Sequence, residues 1–409
     1  MSLTPAVALS DVEATVPLLA GVAIHTPMER ARWLESQVGG AALLKCENLQ
    51  RTGSFKVRGA YVRLSRLTED ERARGVVAAS AGNHAQGVAL AAQMLGIAAT
   101  VFMPEGAPIP KVNATKGYGA QVRFRGEYLT QALVAAQEFA AETGAVFISP
   151  FDHVDIVAGQ GTVGLEILEQ APDVQTVLVP TGGGGLLAGV ALAIKASRPD
   201  VRVIGVQAAE AAAFPESLRT GSPVALERMS TMADGIAVAR PGDIPFAAIQ
   251  QHVDEVITVS EDSMARALVM LLERAKMVVE PSGAAAVAAV MDTPDRFSTP
   301  LVAVLSGGNV DPLLLGHLIR HGLSINGRYL NFHCVVPDRP GGLAGLLAEL
   351  AESGANVLEV AHERTSTALH VGEVEVALQL ETRGLEHAET VMSRLRNGGY
   401  RVLGEEQPG

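Results

Sequence analysis

Cysteine is scarce in this chain. Only Cys46 and Cys334 occur in 409 residues, far apart in sequence. They form no metal-ligand spacing and are too few for a disulfide framework, so a reducing cytoplasm is the expected setting. Basic charge is scarce as well. Thirty-two Lys and Arg stand against 44 Asp and Glu, a net charge of -12, which speaks against a nucleic-acid partner and says nothing about fold. The start has no basic stretch followed by an apolar run, so no secretory signal is expected. Asn113-Ala114-Thr115 is then read as a chance sequon. Unbroken apolar runs are lacking too. Residues 177–194 are nearly all apolar and approach bilayer length, but Pro180 and the glycines 182–185 interrupt them. A strand, a tight loop and a buried helix explain them better, because a lipid-exposed loop leaves backbone groups unsatisfied. No membrane partner is expected. No phosphate loop of the NTPase type is found.

What is present is ordinary globular material, 48% apolar and 19% charged, with length for two or three domains. Short apolar runs alternate with helical stretches between about 40 and 310. Strands are predicted at 41–45, 75–79, 98–103 and 121–124, with helices at 83–95, from about 109, and at 129–143. After Phe151-Asp152 the pattern resumes with a helix at 161–170, a strand at 176–180, a helix at 186–197 and a strand at 201–207. Helices at 263–273 and 282–291 lead to a strand at 301–305. Such repetition implies parallel sheets with helices on both faces, two α/β lobes and a ligand in the cleft beyond the strand ends.

The last eighty or so residues differ. Strand 329–336, a turn at Asp338-Arg339-Pro340-Gly341-Gly342, helix 343–353, strands 357–363 and 372–381, helix 385–397 and strand 401–403 give a split βαβ plan. A linker is expected near 322–327.

Four segments carry candidate chemistry. Lys56 stands in Ser54-Phe55-Lys56-Val57-Arg58-Gly59-Ala60, after the turn-like Arg51-Thr52-Gly53. The plain alternative is a solvated lysine, but an amine among such neighbours suits chemistry that needs a depressed pKa. Phe55 either packs on a ring or fills the core. Gly182-Gly183-Gly184-Gly185-Leu186 follows a strand and opens a helix, so its backbone N–H groups form an anion nest with the helix dipole. A loose dinucleotide pattern fits the same glycines but leaves Lys56 without a task. Ser80-Ala81-Gly82-Asn83-His84 also links strand to helix and suits a substrate carboxylate, or is an ordinary N-cap. Ser306-Gly307-Gly308-Asn309 places a hydroxyl where a pyridine nitrogen would be met, or is a strand-end turn. Together these look like the parts of a pyridoxal-phosphate enzyme: a lysine for the cofactor aldehyde, a carboxylate clamp and a phosphate cradle. A neutral partner for the pyridine nitrogen suits reactions that expel a group from Cβ.

With these motifs in order, and with Ala233-Asp234-Gly235-Ile236-Ala237-Val238 and Ala85-Gln86-Gly87 beside them, residues 10 to 405 resemble the fold-type-II pyridoxal-phosphate enzymes, specifically threonine ammonia-lyases with one C-terminal ACT domain. The resemblance implies a two-lobed catalytic domain over 1–325, its smaller lobe at about 50–150 inserted in the larger. An ACT-like α+β domain would follow at 328–405. By the resemblance Lys56 carries the cofactor and acts as base. Asn83 meets the cofactor's phenolic oxygen, Phe55 packs on its ring, Gly182 to Leu186 bind the phosphate, and Ser306 meets the pyridine nitrogen. Ser80, Ala81, Gly82, Asn83 and His84 form the substrate loop, and Gly235 lines the site. His84 is given no proton transfer.

Two departures bear on activity. Serine racemases of this family carry serine where Ala81 stands, so racemisation should be poor here. Relatives also place acidic ligands for a divalent cation after the 203–206 strand, whereas this chain reads Gln207-Ala208-Ala209-Glu210-Ala211-Ala212-Ala213. Hard cations want carboxylate oxygens, so no metal site is expected. The implied substrate is a small hydroxy amino acid. The implied effector, isoleucine or valine, would act at the ACT-like domain, which otherwise serves dimerisation. A homo-oligomer, dimer or tetramer, is expected. L-serine dehydratase and threo-3-hydroxyaspartate dehydratase share the motifs, and an inactive amino-acid sensor shares the fold.

Overall fold

The structure, a computed structural model, describes residues 7–363 and 369–403. The chain divides into two compact units, Met1–Pro312 and Leu313–Gly409.

The first unit is built on two sheets. Apolar runs without polar alternation make strands covered on both faces; Val76–Ala79, Thr176–Pro180 and Leu301–Val304 are buried throughout. The larger sheet has six strands in the order Met28–Arg30, Ala42–Lys45, Leu301–Val304, Thr176–Pro180, Arg202–Ala208, Glu255–Val259. All pair in parallel except the first, which runs antiparallel to Ala42–Lys45. The smaller sheet is wholly parallel, in the order Gln121–Phe124, Ala99–Met103, Val76–Ala79, Val146–Phe147.

Parallel strands put their carboxyl ends on one edge, and that edge collects the functional segments. In the larger sheet, Lys45 leads to the turn before Lys56, Pro180 to the glycine loop, and Val304 to Ser306. In the smaller sheet, Ala79 leads to Ser80, and Met103 to the helix Ile109–Gly117.

Helices pack between and around the sheets. Lys56–Ser65 lies against both Asn83–Leu95 and Val154–Gln170. Its backbone nearly touches the latter, because a Cβ on Gly159 would sit 2.7 Å from Gly59 Cα. The helix Val154–Gln170 begins ahead of the predicted 161, and the helix Lys56–Ser65 was not predicted at all. Strands Met28–Arg30, Val146–Phe147 and Glu255–Val259 were likewise unforeseen.

The second unit opens with the helix Pro312–Ile325, which occupies most of the stretch where a linker was expected; the chain then turns at Gly327 with φ +63°. An antiparallel sheet follows, ordered Asn356–Glu363, Glu373–Glu381, Tyr329–Pro337, Arg401–Leu403. Helices Gly342–Ser353 and Leu385–Asn397 complete the split βαβ order. Alternation along Glu373–Glu381 buries Val374, Val376, Leu378 and Leu380 with Leu346, Leu350, Val391 and Leu395. Among the described residues no helix is long and apolar enough to cross a membrane.

Candidate active site

The segment before Lys56 is stitched to the loop after the strand Leu301–Val304. Phe55 N donates to Ser306 O at 3.3 Å, and Gly308 N donates to Gly53 O at 2.9 Å. Ser54 and Gly307 form an antiparallel bridge. These bonds hold Lys56 beside the buried Ser306. Lys56 opens its helix, and Gly87 of the neighbouring helix lets that helix press on it; a Cβ there would lie 3.2 Å from Lys56 Cβ.

Lys56 is half-buried as a residue, and its amine end is buried. It donates to Pro150 O at 2.9 Å and lies 5.1 Å from the Phe55 ring centre. Burial draws its pKa down to about 8, against the pull of the Glu280 carboxylate. An amine so placed is a nucleophile and base near neutral pH.

Two residues along the helix, Arg58 anchors the frame. Its guanidinium, 1% exposed, makes a fork with Glu47 (2.9 Å from Nε, 2.8 Å from Nη2) and reaches Glu166 Oε1 at 2.6 Å. Lys45 Nζ meets Glu166 Oε2 at 2.5 Å. Two cations and two carboxylates thus balance one another beneath the site. Burial weakens the Arg58 charge, but the two carboxylates prevail and raise its pKa; the nearby cations hold Glu47 low despite its burial.

The glycine loop lies against a wall. A Cβ on Gly183 would come 2.4 Å from the Phe151 ring, one on Gly182 3.1 Å from Ile236 Cα, and one on Gly185 3.1 Å from Phe151 Cα. Gly184 takes φ +99°, a conformation open to glycine. No side chain caps the helix Gly185–Ser197 that follows. Its first N–H groups and the dipole are left to an anion.

The loop at 80–84 is built differently. Ser80 Oγ accepts from Gly82 N at 3.1 Å, and the helix Asn83–Leu95 has Gly82 at its cap. Ser80, Ala81 and Gly82 are all partly exposed. His84 is buried with Nε2 2.9 Å from Ile148 O. Burial, with the Lys56 charge, lowers its pKa to about 3, so the ring stays neutral and Nε2–H donates to that carbonyl. Gly235 lies in the turn Asp234–Ile236, where a Cβ would meet Ser282 Oγ at 2.8 Å.

Sequence reasoning passed over two residues of the cleft, Lys111 and Glu280, and gave Asn309 of the Ser306 motif no role of its own. Lys111, nearly buried, stands beside Gly82 and pairs with Asp234. Glu280, 2% exposed, accepts from Asn83 Nδ2 at 2.6 Å. Burial, and then the Asp234 charge, push its carboxyl up to about 8. Asn309 Nδ2 donates to Asn83 Oδ1 at 2.7 Å. A lone acid before Pro281 at a helix start was the available signal for Glu280.

The segment after the strand Arg202–Ala208 is closed by an amide. Gln207 is buried, its Oε1 accepts from Phe214 N at 2.9 Å, and its Nε2 donates to Ala211 O at 3.5 Å. Among the described residues no group of three His, Cys, Asp or Glu could hold a metal ion.

The chain is similar to known proteins. A family model described as pyridoxal-phosphate dependent enzyme matches residues 20–307. An L-threonine ammonia-lyase of Thermotoga maritima is 46% identical over 396 residues, which span 97% of this chain and 99% of that protein. A catabolic L-threonine dehydratase of Escherichia coli K12 is 43% identical over 308 residues, 75% of this chain and 94% of that protein. The solved structure of processed threonine deaminase isoform 2 from Solanum lycopersicum matches with a TM-score of 0.74 at 36% identity, covering 78% of this chain and 91% of that one. The chain belongs to the pyridoxal-phosphate dependent enzymes, within the threonine ammonia-lyase family.

Proposed function

We propose that this protein converts L-threonine to 2-oxobutanoate and ammonia by α,β-elimination. One observation carries the reading: an amine held at about 8 faces the same sheet edge as an uncapped glycine cradle, in a chain 46% identical to a threonine ammonia-lyase along nearly its whole length.

Pyridoxal phosphate fits this lining. Backbone N–H groups of Gly182, Gly183, Gly184, Gly185 and Leu186 would receive the phosphate; at the glycines Phe151, Ile236 and Phe214 leave no space for side chains. Lys56 would hold the aldehyde carbon, Phe55 would pack beside the ring, Ser306 would meet the pyridine nitrogen, and Asn83 would meet the phenolic oxygen. When bound, the cofactor supplies a carbonyl that Lys56 and the substrate amine occupy in turn, and a ring that spreads negative charge from Cα.

The protein's own groups do the rest. Ser80, Gly82 and the start of the helix at Asn83 receive the substrate carboxylate, with Ala81 and His84 in the same loop and Gly235 lining the site. Lys56 removes the Cα proton and, as ammonium, returns a proton to the departing β-hydroxyl, which leaves as water. The released enamine tautomerises and hydrolyses to the 2-oxo acid and ammonia. His84 is neutral and fastened to Ile148 O, so it orients the loop and moves no proton. Ala81 offers no hydroxyl, so there is no second proton donor of the kind a racemase uses.

Steady-state kcat/KM for L-threonine, L-serine and threo-3-hydroxyaspartate tests the assignment. Threonine should rank first; a preference for either competitor replaces it with the corresponding dehydratase.

The proposed catalytic domain over 1–325, its smaller lobe at about 50–150, takes in the helix Pro312–Ile325, most of which falls in the second compact unit. Within that second unit, residues 328–405 are proposed as an ACT-like regulatory domain. The support is its strand and helix order and the turn at Asp338 to Gly342 before a helix. Isoleucine or valine is the proposed effector, acting on a homo-oligomer in the cytoplasm. Truncation after Gly327 should abolish the response to these amino acids; an unchanged response with a lost oligomer assigns the unit to assembly instead.

A further inference from the structure

Glu280 is a buried carboxyl in the cleft for which the proposed reaction has no task. It precedes the helix Pro281–Asp292 and is 2% exposed. Among the described residues its side chain makes no ion pair, and it is bonded to Asn83, whose Nδ2 donates to Glu280 Oε1 at 2.6 Å.

The bond belongs to a chain of three amide and carboxyl groups. Asn83 Oδ1 accepts from Asn309 Nδ2 at 2.7 Å, and the same nitrogen donates to Thr52 O at 2.6 Å. The direction is set at the Thr52 end, because a backbone carbonyl only accepts. Asn309 must turn its nitrogen that way, and its second N–H then faces Asn83 Oδ1. Asn83 is left with its nitrogen toward Glu280. An NH2 group carries two hydrogens, and Glu280 takes one.

The approach depends on a missing side chain. A Cβ on Gly307 would lie 2.3 Å from Glu280 Oε1 and 3.0 Å from Asn83 Nδ2. Gly307 is also bonded back to Glu280, whose N–H donates to Gly307 O at 3.1 Å. The chain therefore reads from the turn before Lys56, through the loop carrying Ser306, to the substrate loop.

We propose that Glu280 is a positioning residue for the cofactor-binding amide: it fixes Asn83 so that one N–H remains for the phenolic oxygen of pyridoxal phosphate. The inference rests on the reading of Asn83 as a cofactor contact. Charge is not the operative property. The charged groups around the carboxyl are Asp234, Lys111 and Lys56, and its pKa of about 8 leaves it in either state near neutral pH. A protonated carboxyl keeps a carbonyl oxygen, and so does glutamine, so the bond to Asn83 survives in both.

The test compares Glu280→Gln, which keeps an acceptor, with Glu280→Met, which keeps the shape and removes it. Cofactor affinity and the visible absorption band of the bound cofactor are read by titrating each protein with pyridoxal phosphate. Met is expected to weaken affinity about tenfold, one hydrogen bond's share, and to shift the band; Gln should match the parent within about threefold on the same scale. Asn83→Ala should reproduce the Met result, and the Asn83→Ala/Glu280→Met pair should be no worse than Asn83→Ala alone. Should Glu280→Met fail to fold, Asn309→Ala attacks the same chain from its other end and should give the same band shift. Additive losses in the pair, or a Met protein with unchanged band and affinity, overturn the proposal. If Asn83→Ala itself changes neither, the reading of Asn83 as a cofactor contact falls first, and the inference with it.

Discussion

Arg58 Nη2 lies 2.8 Å from Glu47 Oε1, with both side chains sealed from solvent. The pair ties the first turns of the Lys56 helix to the end of the strand Ala42–Lys45. Buried pairs contribute little relative to apolar residues of the same volume, but losing one partner strands a charge, at about 3–5 kcal/mol. Glu47→Leu and Arg58→Leu should each lower the urea midpoint sharply, while the double variant should recover much of the loss. Additive losses in the double variant would contradict a coupled pair.

Gly183→Ala should cut pyridoxal-phosphate affinity at least tenfold, about 1.4 kcal/mol. The added Cβ would come 2.4 Å from the Phe151 ring, so the loop or the ring must move. Gly316→Ala is the control, since a Cβ there meets nothing within 4 Å. Equilibrium dialysis of the cofactor reads both.

What was legible in the sequence follows from where each signal lies. The strands at 176–180 and 301–304 announce themselves because burial on both faces demands unbroken apolar runs. The helix Lys56–Ser65 was missed because Gly59 and β-branched residues give it poor propensity; packing on two neighbouring helices forms it instead. Gly159 obscured the start of Val154–Gln170 for the same reason, though it is also what lets the helices meet. The strand Glu255–Val259 is an edge strand and mostly half-buried, so its pattern is weak. Lys56 and the glycine loop were visible because their signals are local. Glu280 and Lys111 were not, since their partners stand 197 and 123 residues away.

The rate at which apoprotein takes up pyridoxal phosphate should rise with pH and level off above about 8. Only the neutral amine attacks, and burial lowers Lys56 to that value. The folded pKa is below the free value of 10.5, so protonation of Lys56 is penalised in the folded protein and the neutral form gains from pH 8 upward. His84, neutral throughout, adds no step. Glu280→Gln removes an anion that favours the ammonium and should move the midpoint downward. Stopped-flow reconstitution across pH 6–10, about two units each side of that value, checks both.

Dialysis against EDTA should leave activity unchanged. Gln207 closes the loop that follows the strand Arg202–Ala208 with its own amide, bonding Phe214 N and Ala211 O, and supplies no carboxylate for a hard cation. Activity lost on chelation and restored by magnesium would contradict this.

The most direct measurement is borohydride reduction of the holoenzyme followed by peptide mapping. Reduction locks the cofactor onto whichever amine holds it. The label should appear on Lys56 alone, and Lys56→Ala should lose both the label and the yellow colour. A label on Lys111, on any other lysine, or on none would contradict the assignment of Lys56 as the residue that holds the cofactor and takes the proton.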